Sequence, residues 1–314
     1  MDKTAFQELT DGMMHLYTDG KYADALHLVE QNADRFPEES ARTTFWQMCL
    51  LSMCGRPDDV SSLFRQGLDR GLWWAEDQFR DSDLDAVRDL PEFKRLVDES
   101  NQKCLEARKQ IKPDRAILLP DDTTKEMPLL IALHGRNGNK ESHLERWEVA
   151  CQRGWLVLSP QSTQPLYNGS YCWDDSAQSI KDIIPHVEEI MRAYGVDRQR
   201  VILGGFSQGS GMAIYAALSG EIPARGFIGI GTFWRTPAEL DALAKLGRDL
   251  RGYFVTGKKD YTLDRVREIQ NILRANNVQF AEEVHADLGH EFPADFAPSF
   301  DKAIEFIFNA LDGA

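Results

Sequence analysis

The chain has 314 residues, of which 42% are hydrophobic and 27% charged, and this ordinary globular composition excludes extended disorder. Its length accommodates an α/β domain of about 200 residues together with a smaller companion domain. Fifty acidic residues against 36 basic ones give a formal net charge of -14, which repels a phosphate backbone and argues against a nucleic-acid partner.

The cysteines and the N-terminal stretch indicate the compartment. The five cysteines are scattered and odd in number, and the opening stretch MDKTAFQELTDG has neither the basic flank nor the apolar run of a signal peptide. These features predict a reduced, cytoplasmic protein. No apolar run approaches the roughly 20 residues that a membrane-spanning helix requires, so no membrane span is expected.

Residues 1–111 have the pattern of an all-α domain built from helical hairpins. Apolar side chains recur three and four positions apart, as at Leu9 and Met13, which indicates amphipathic helices. Residues 16–37 resemble the second half of a tetratricopeptide repeat, and a weaker copy follows at 41–71. Fewer than three repeats do not normally build a peptide-docking groove. A structural, dimer-forming or lid-like role is therefore favoured, with a second copy or a partner protein as the candidate contact.

Residues 112–314 alternate between strand and helix patterns. Pro113 marks the change, because it ends a long helix near Ile111. Short apolar runs predict buried strands at 115–120, 128–135, 155–160, 200–206, 226–232, 251–257 and 278–285. Helices are predicted at 141–153, 176–194, 208–219, 237–247, 263–276 and 296–311. This order predicts an α/β domain with a mostly parallel sheet and helices on both faces.

The pentapeptide GFSQG at 205–209 joins a predicted strand directly to a predicted helix. A tight strand-to-helix turn with a glycine on each side of a serine is the turn that exposes a nucleophile in α/β enzymes. Chance occurrence of Gly-x-Ser-x-Gly does not supply the strand before it and the helix after it. Ser207 is therefore the predicted nucleophile of a serine hydrolase.

Such a serine needs a base to accept its proton and an acid to orient that base, and the acid is expected before the histidine in the chain. Asp260 follows the predicted strand 251–257, at the sheet edge where open α/β sheets keep their sites. It is preferred over Asp264, which falls where a helix begins. His290 lies in a loop before the last helix and is the predicted base, whereas His285 falls within or at the end of a strand.

The negative charge that develops on a substrate carbonyl oxygen requires hydrogen-bond donors. One predicted donor is the backbone N–H of Gln208, directly after the nucleophile at a helix N-terminus. The other is the backbone N–H of Arg136, in the loop after a strand end. His134 precedes the nucleophile in the chain and is interpreted as shaping that turn. No histidine pair has metal-ligand spacing, so no metal or cofactor is expected.

A family resemblance rests on six segments that occur in this order: ALHGRNGN, SPQSTQP, CWDD, RVILGGFSQG, VTGKKD and LGHEFP. They resemble the carboxylesterase and phospholipase group of α/β-hydrolases, which includes the acyl-protein thioesterases, over roughly residues 115–312. The resemblance implies the α/β-hydrolase fold, and the three predicted catalytic residues match the family's triad. The two predicted donors match its oxyanion hole. The chain departs from the family at Arg136-Asn137-Gly138, where an apolar loop is usual, and at Tyr261-Thr262.

The expected function is hydrolysis of a small-molecule carboxylic ester or thioester through an acyl-enzyme on Ser207. The polar Arg136-Asn137 segment favours short to medium acyl chains. Two alternatives stay open at this stage. One is an idle hydrolase scaffold that binds a partner through the helical domain, and the other is a peptidase on the same fold.

Overall fold

The computed structural model describes residues 3–308, which form two compact units. The first comprises the chain up to Ile111 together with the separate segment Pro165–Ser170. The second comprises Lys112–Gln164 and the chain from Tyr171 onward. None of the helices within residues 3–308 is long and apolar enough to cross a membrane.

The first unit is helical, and its first four helices pack in chain order, each against the next. Gly20 and Gly55 form turns with φ of 73° and 70°, a left-handed conformation that favours glycine. Its helices are α1 Lys3–Thr18, α2 Tyr22–Asn32, α3 Ser40–Met53, α4 Pro57–Asp69, α5 Asp85–Arg88 and α6 Pro91–Gln110. The rings of Phe64, Phe79 and Phe93 pack together with centroids 4.9 to 5.7 Å apart. This aromatic cluster forms part of the unit's core.

The segment Pro165–Ser170 belongs to the helical unit, although it lies far downstream in the chain. It forms the tip of a β-hairpin. Tyr167 forms a β-bridge with Trp74, and its hydroxyl accepts a 3.1 Å hydrogen bond from Arg42 Nε. The backbone N–H of Ala75 donates to the carbonyl of Leu166 at 2.7 Å. The helical unit is therefore completed by residues that lie far downstream in the chain.

The second unit is built on a seven-stranded sheet in the order β1-β3-β2-β6-β7-β8-β9. Only β1 is antiparallel to its neighbour, and the other pairs are parallel. The strands are β1 Arg115–Leu118, β2 Met127–Leu133, β3 Leu156–Pro160, β6 Val196–Phe206, β7 Gly226–Ile230, β8 Arg251–Gly257 and β9 Gln279–His285. Strands β4 Gln164–Tyr167 and β5 Ser170–Cys172 pair with each other in a separate hairpin.

Helices cover both faces of this sheet, which confirms the predicted fold class. Along β2, Leu129 and Ile131 pack into the core on one face, whereas Leu130 and Ala132 pack into the core on the other, as the two-residue period of a strand requires. A strand buried in this way has apolar residues at successive positions. The helices are α7 Glu148–Cys151, α8 Ser176–Ala193, α9 Gln208–Ser219, α10 Pro237–Ala244, α11 Leu263–Ala275 and α12 Ala297–Phe308.

Two regions differ from the sequence-based prediction. The helix expected at 141–153 is a 3-10 turn over Leu144–Trp147 followed by the short α7, because His143 has a left-handed φ of 60° that a regular helix excludes. The β4–β5 hairpin was not predicted. For the helix expected at 296–311, residues 309–311 lie outside the described part of the chain.

Candidate active site

The turn between β6 and α9 holds Ser207 in a strained backbone conformation. Strand β6 ends at Phe206, helix α9 begins at Gln208, and Ser207 between them has φ 54° and ψ -121°. Its N–H donates to the carbonyl of Ile230 at 2.9 Å. A non-glycine residue persists in such a conformation only where the surroundings hold it, and such positions cluster at active sites.

Gly209 allows this turn to pack against β2. A Cβ placed there would lie 2.3 Å from the carbonyl oxygen of His134 and 2.4 Å from that of Leu133, and these backbone atoms cannot move aside singly. We expect Gly209→Ala to lower the free energy of unfolding by about 3 kcal/mol, the upper end of the usual cost of overpacking. Urea denaturation followed by circular dichroism measures this change.

Gly195 provides the matched control, because it is exposed and a Cβ there would come no closer than 3.8 Å to a neighbouring atom. Gly195→Ala should stay within about 0.5 kcal/mol of the parent. Equal unfolding midpoints for the two variants would show that the turn between β6 and α9 has room that the backbone distances do not indicate.

The structure brings together the three residues that the sequence singled out for the chemistry. His290 Nε2 lies 2.9 Å from Ser207 Oγ, and His290 Nδ1 lies 2.9 Å from Asp260 Oδ1. The Asp260 side chain is 1% exposed and that of His290 is 13% exposed. A hydroxyl, an imidazole and a carboxylate in this order can pass the serine proton to the ring while the carboxylate fixes its orientation.

Asp260 is held by its own loop. Its Oδ1 atom accepts hydrogen bonds from the backbone N–H and the hydroxyl of Thr262, both at 2.7 Å, in addition to the contact with His290. Burial raises the pKa of this carboxyl, but the hydrogen bonds from His290 and Thr262 outweigh burial, and the net pKa is lowered. The carboxyl is thus ionised at neutral pH and accepts a hydrogen bond from the N–H at Nδ1 of the imidazole.

The alternative candidates for the acid and the base, Asp264 and His285, lie elsewhere and make no hydrogen bond with Ser207. Asp264 is exposed in the first turn of α11, where a carboxylate interacts favourably with the helix dipole. His285 is the last residue of β9, and its Nε2 lies 3.5 Å from Glu283 Oε1. The hydrogen bonds of Ser207 and Asp260 to an imidazole are those made with His290.

The side chains of the two predicted oxyanion residues meet at Asp174. Arg136 Nη1 donates to both carboxylate oxygens of Asp174, at 2.6 and 2.7 Å, and Gln208 Nε2 donates to Oδ1 at 2.6 Å. The Gln208 side-chain carbonyl in turn accepts from the backbone N–H of Trp173 at 3.0 Å. One carboxylate therefore joins the loop after β2 to the start of α9, whose first N–H groups have no acceptor within the helix.

Sequence reasoning missed this role of Asp174. The only signal for it in the sequence is its place in the CWDD segment at 172–175, which shares the family pattern. Burial raises the pKa of Asp174, but the neighbouring Arg136 outweighs burial and lowers it overall. The charged form is thus the one that holds the two side chains.

His134 orients the peptide that carries the N–H of Arg136. Burial lowers the pKa of His134 to about 4, so the ring is neutral at pH 7. Its Nδ1 lies 2.9 Å from the carbonyl oxygen of Gly135, which also accepts from the N–H of Gly138 at 3.1 Å. The Gly135 carbonyl and the Arg136 N–H belong to the same peptide group, and in a trans peptide they point in opposite directions. Because the carbonyl points towards the His134 ring, the Arg136 N–H points away from that ring.

Two protein-family models match the chain. Residues 122–308 match the model described as phospholipase/carboxylesterase, and residues 5–108 match the model described as the N-terminal domain of A/B hydrolase-like proteins. A curated relative, the bifunctional acetylxylan esterase/xylanase of Neocallimastix patriciarum, is 31% identical over 112 residues. These residues are 34% of this chain and span only 16% of the length of that relative.

Solved structures share the architecture. A protein from Bacillus cereus ATCC 10987 matches 97% of this chain and 99% of its own, with a TM-score of 0.55 and 22% identity. Acyl-protein thioesterase 2 of Zea mays matches 62% of this chain and 98% of its own, with a TM-score of 0.50 and 15% identity. At such identities the likeness is one of fold.

Proposed function

This chain belongs to the phospholipase/carboxylesterase family, and from that premise we propose that it cleaves carboxylic esters or thioesters through an acyl-enzyme on Ser207. Membership of the family makes it a hydrolase of the esterase or phospholipase type. The observation that supports the finer proposal is the continuous hydrogen-bonded series from Ser207 through His290 to Asp260, with both contacts at 2.9 Å.

In the first half of the proposed reaction, Ser207 Oγ attacks the carbonyl carbon while His290 Nε2 accepts its proton. The substrate oxygen becomes negatively charged, and the backbone N–H groups of Arg136 and Gln208 are the proposed donors to it. The tetrahedral intermediate then breaks its bond to the leaving group. The imidazolium gives its proton to the departing alcohol or thiol, which leaves an ester on Ser207.

In the second half, water takes the place of the leaving group. His290 Nε2 accepts a proton from the water molecule as its oxygen attacks the acyl carbon, and the intermediate collapses with return of the proton to Ser207 Oγ. The carboxylic acid is released. Asp260 stays ionised throughout and stabilises the imidazolium that forms in each half.

The residues around the nucleophile favour short to medium acyl chains. Arg136 and Asp174 form an ion pair beside the proposed oxyanion donors, where a family member with an apolar loop would present a surface suited to a lipid tail. The two side chains of this ion pair are each 25% exposed, and a charged surface of this kind gives little apolar area for a long chain to cover. The chain-length preference follows from that polarity.

The experiment that tests the proposal combines a covalent probe with an ester series. We expect a fluorophosphonate to form one adduct, located on Ser207 by peptide mass spectrometry, because the probe reacts only with a serine that is activated by its base. Turnover of p-nitrophenyl esters should be highest for chains of about two to eight carbons. A folded protein with no adduct on Ser207 refutes the mechanism, and the highest turnover on a sixteen-carbon ester refutes the chain-length preference.

The proposal extends to the compartment and to the helical unit. All five cysteines lie in the described part of the chain, and none of them forms a disulfide, which supports a reducing, cytoplasmic setting.

Every residue proposed for the chemistry lies after position 130. The helical unit is therefore proposed to stabilise the protein or to contact a second copy or a partner, without supplying a catalytic group.

A further inference from the structure

We propose that Tyr261 forms a ring-binding subsite for the leaving group, so that the preferred substrates are esters of aromatic alcohols. This inference rests on the proposed function, because it assigns the alcohol side of the ester that Ser207 attacks. The observation behind it is an aromatic side chain that is 80% exposed and lies directly beside the proposed general base.

Tyr261 is the most exposed of the large hydrophobic side chains among residues 3–308. The next is Leu246, which is 60% exposed. A tyrosine ring is a large apolar surface, and leaving it in water forgoes the free energy that burial would give. Single exposed apolar residues are common on protein surfaces, so the position of Tyr261 is what makes its exposure informative.

That position is next to the His290 imidazole. The centroids of the Tyr261 and His290 rings are 4.5 Å apart, with an interplanar angle of 46°. Phe206 also contacts the imidazole, at 4.8 Å between centroids, but Phe206 is only 9% exposed. Of these two aromatic neighbours, Tyr261 is the one whose surface is open to a ligand.

The backbone around Tyr261 is fixed by the acid of the triad. The N–H and the hydroxyl of Thr262 both donate to Asp260 Oδ1 at 2.7 Å, and the N–H of Leu263 donates to the Asp260 carbonyl at 3.1 Å. Tyr261 lies between Asp260 and Thr262, whose backbones these hydrogen bonds fix. A ring presented from a fixed backbone loses less entropy when it contacts a ligand than a ring on a mobile loop does.

The leaving group is the part of the substrate that Tyr261 can reach. The imidazole must pass its proton to the departing oxygen, so that oxygen has to come within hydrogen-bond distance of His290 Nε2. The carbonyl oxygen is directed to the N–H groups of Arg136 and Gln208 instead. A ring attached to the departing oxygen is therefore directed beside the imidazole that Tyr261 contacts, and aromatic rings interact favourably when their centroids are about 4.5 to 7 Å apart.

A pair of acetate esters separates this contact from the rest of the reaction. 1-Naphthyl acetate and 2,2,2-trifluoroethyl acetate give the same acetyl-enzyme, so kcat/KM for each reports the acylation step with its own leaving group. We expect Tyr261→Ala to lower the ratio of kcat/KM for the naphthyl ester over the trifluoroethyl ester by about five- to tenfold. Tyr261→Phe should retain the parental ratio because it keeps the ring.

Leu246→Ala is the matched control, since it removes another exposed apolar side chain, and it should leave the ratio unchanged. An unchanged ratio in Tyr261→Ala would overturn the subsite. If kcat/KM falls equally for both esters, Tyr261 is assigned to holding His290 in place, and if it falls for neither, Tyr261 has no part in the reaction. Failure of the parent protein to hydrolyse either ester would instead refute the proposed function, so the two failures are distinguishable.

Discussion

Ser207→Ala is expected to lower kcat for p-nitrophenyl butyrate by about 10⁴-fold or more, because the nucleophile and its base act as a unit. His290→Ala should lose about as much, since Ser207 Oγ then has no acceptor for the proton it passes at 2.9 Å. Steady-state kinetics measure both losses, and the fluorophosphonate adduct should disappear in Ser207→Ala.

His285→Ala is the control for the histidine. His285 lies at the end of β9 beside Glu283, so its removal should change kcat by no more than a few-fold. Parental activity in Ser207→Ala would refute the catalytic assignment and leave an idle scaffold as the better account of the chain. Loss of activity in His285→Ala with a functional His290→Ala would reverse the assignment of the base.

Asp260→Asn should lower kcat by about 10³- to 10⁴-fold with little change in fold. An amide in place of the carboxylate no longer favours the tautomer that carries its proton on His290 Nδ1, so Nε2 is less often free to accept the proton of Ser207. The amide also no longer stabilises the imidazolium. The measurement is kcat for the same ester, with circular dichroism to verify the fold.

Asp264→Asn decides between the two acids. Asp264 is exposed in the first turn of α11, and its change to an amide should cost about 0.5 kcal/mol of stability through the helix dipole, with near-parental kcat. An inactive Asp264→Asn together with an active Asp260→Asn would show that the acid was assigned to the wrong residue while the enzyme class stands.

The sequence predicted the sheet because its central strands, such as β2, β3 and β7, are buried on both faces. A run such as that of β2 has no polar positions, and the alternation of such runs with amphipathic helices leaves a mostly parallel sheet as the arrangement that covers them. The positions of Ser207 and Asp260 follow from strand ends, since β6 ends at Phe206 and β8 ends at Gly257, three residues before Asp260. Local patterns were sufficient for these features.

Other features depend on contacts that no local pattern encodes. Asp174 and Gln208 are 34 positions apart, and their hydrogen bond exists only after the sheet has brought their loops together. The hairpin at 164–172 did carry a local signal, the Asn168-Gly169 pair that favours a two-residue turn, with φ of 74° at Gly169. The flanking strands have only four and three residues, which is at or below the shortest run from which a strand is predicted.

The hairpin tip also determines when, during protein synthesis, the helical unit can make all of its contacts. Pro165–Ser170 belongs to the helical unit, yet it is translated after β1, β2 and β3. Domains usually fold one after another as they leave the ribosome, but here the N-terminal unit cannot make its contacts with Pro165–Ser170 until that later segment has been made. Residues 1–111 transferred alone onto another hydrolase would therefore lack the contacts that Pro165–Ser170 makes with Arg42, Trp74 and Ala75.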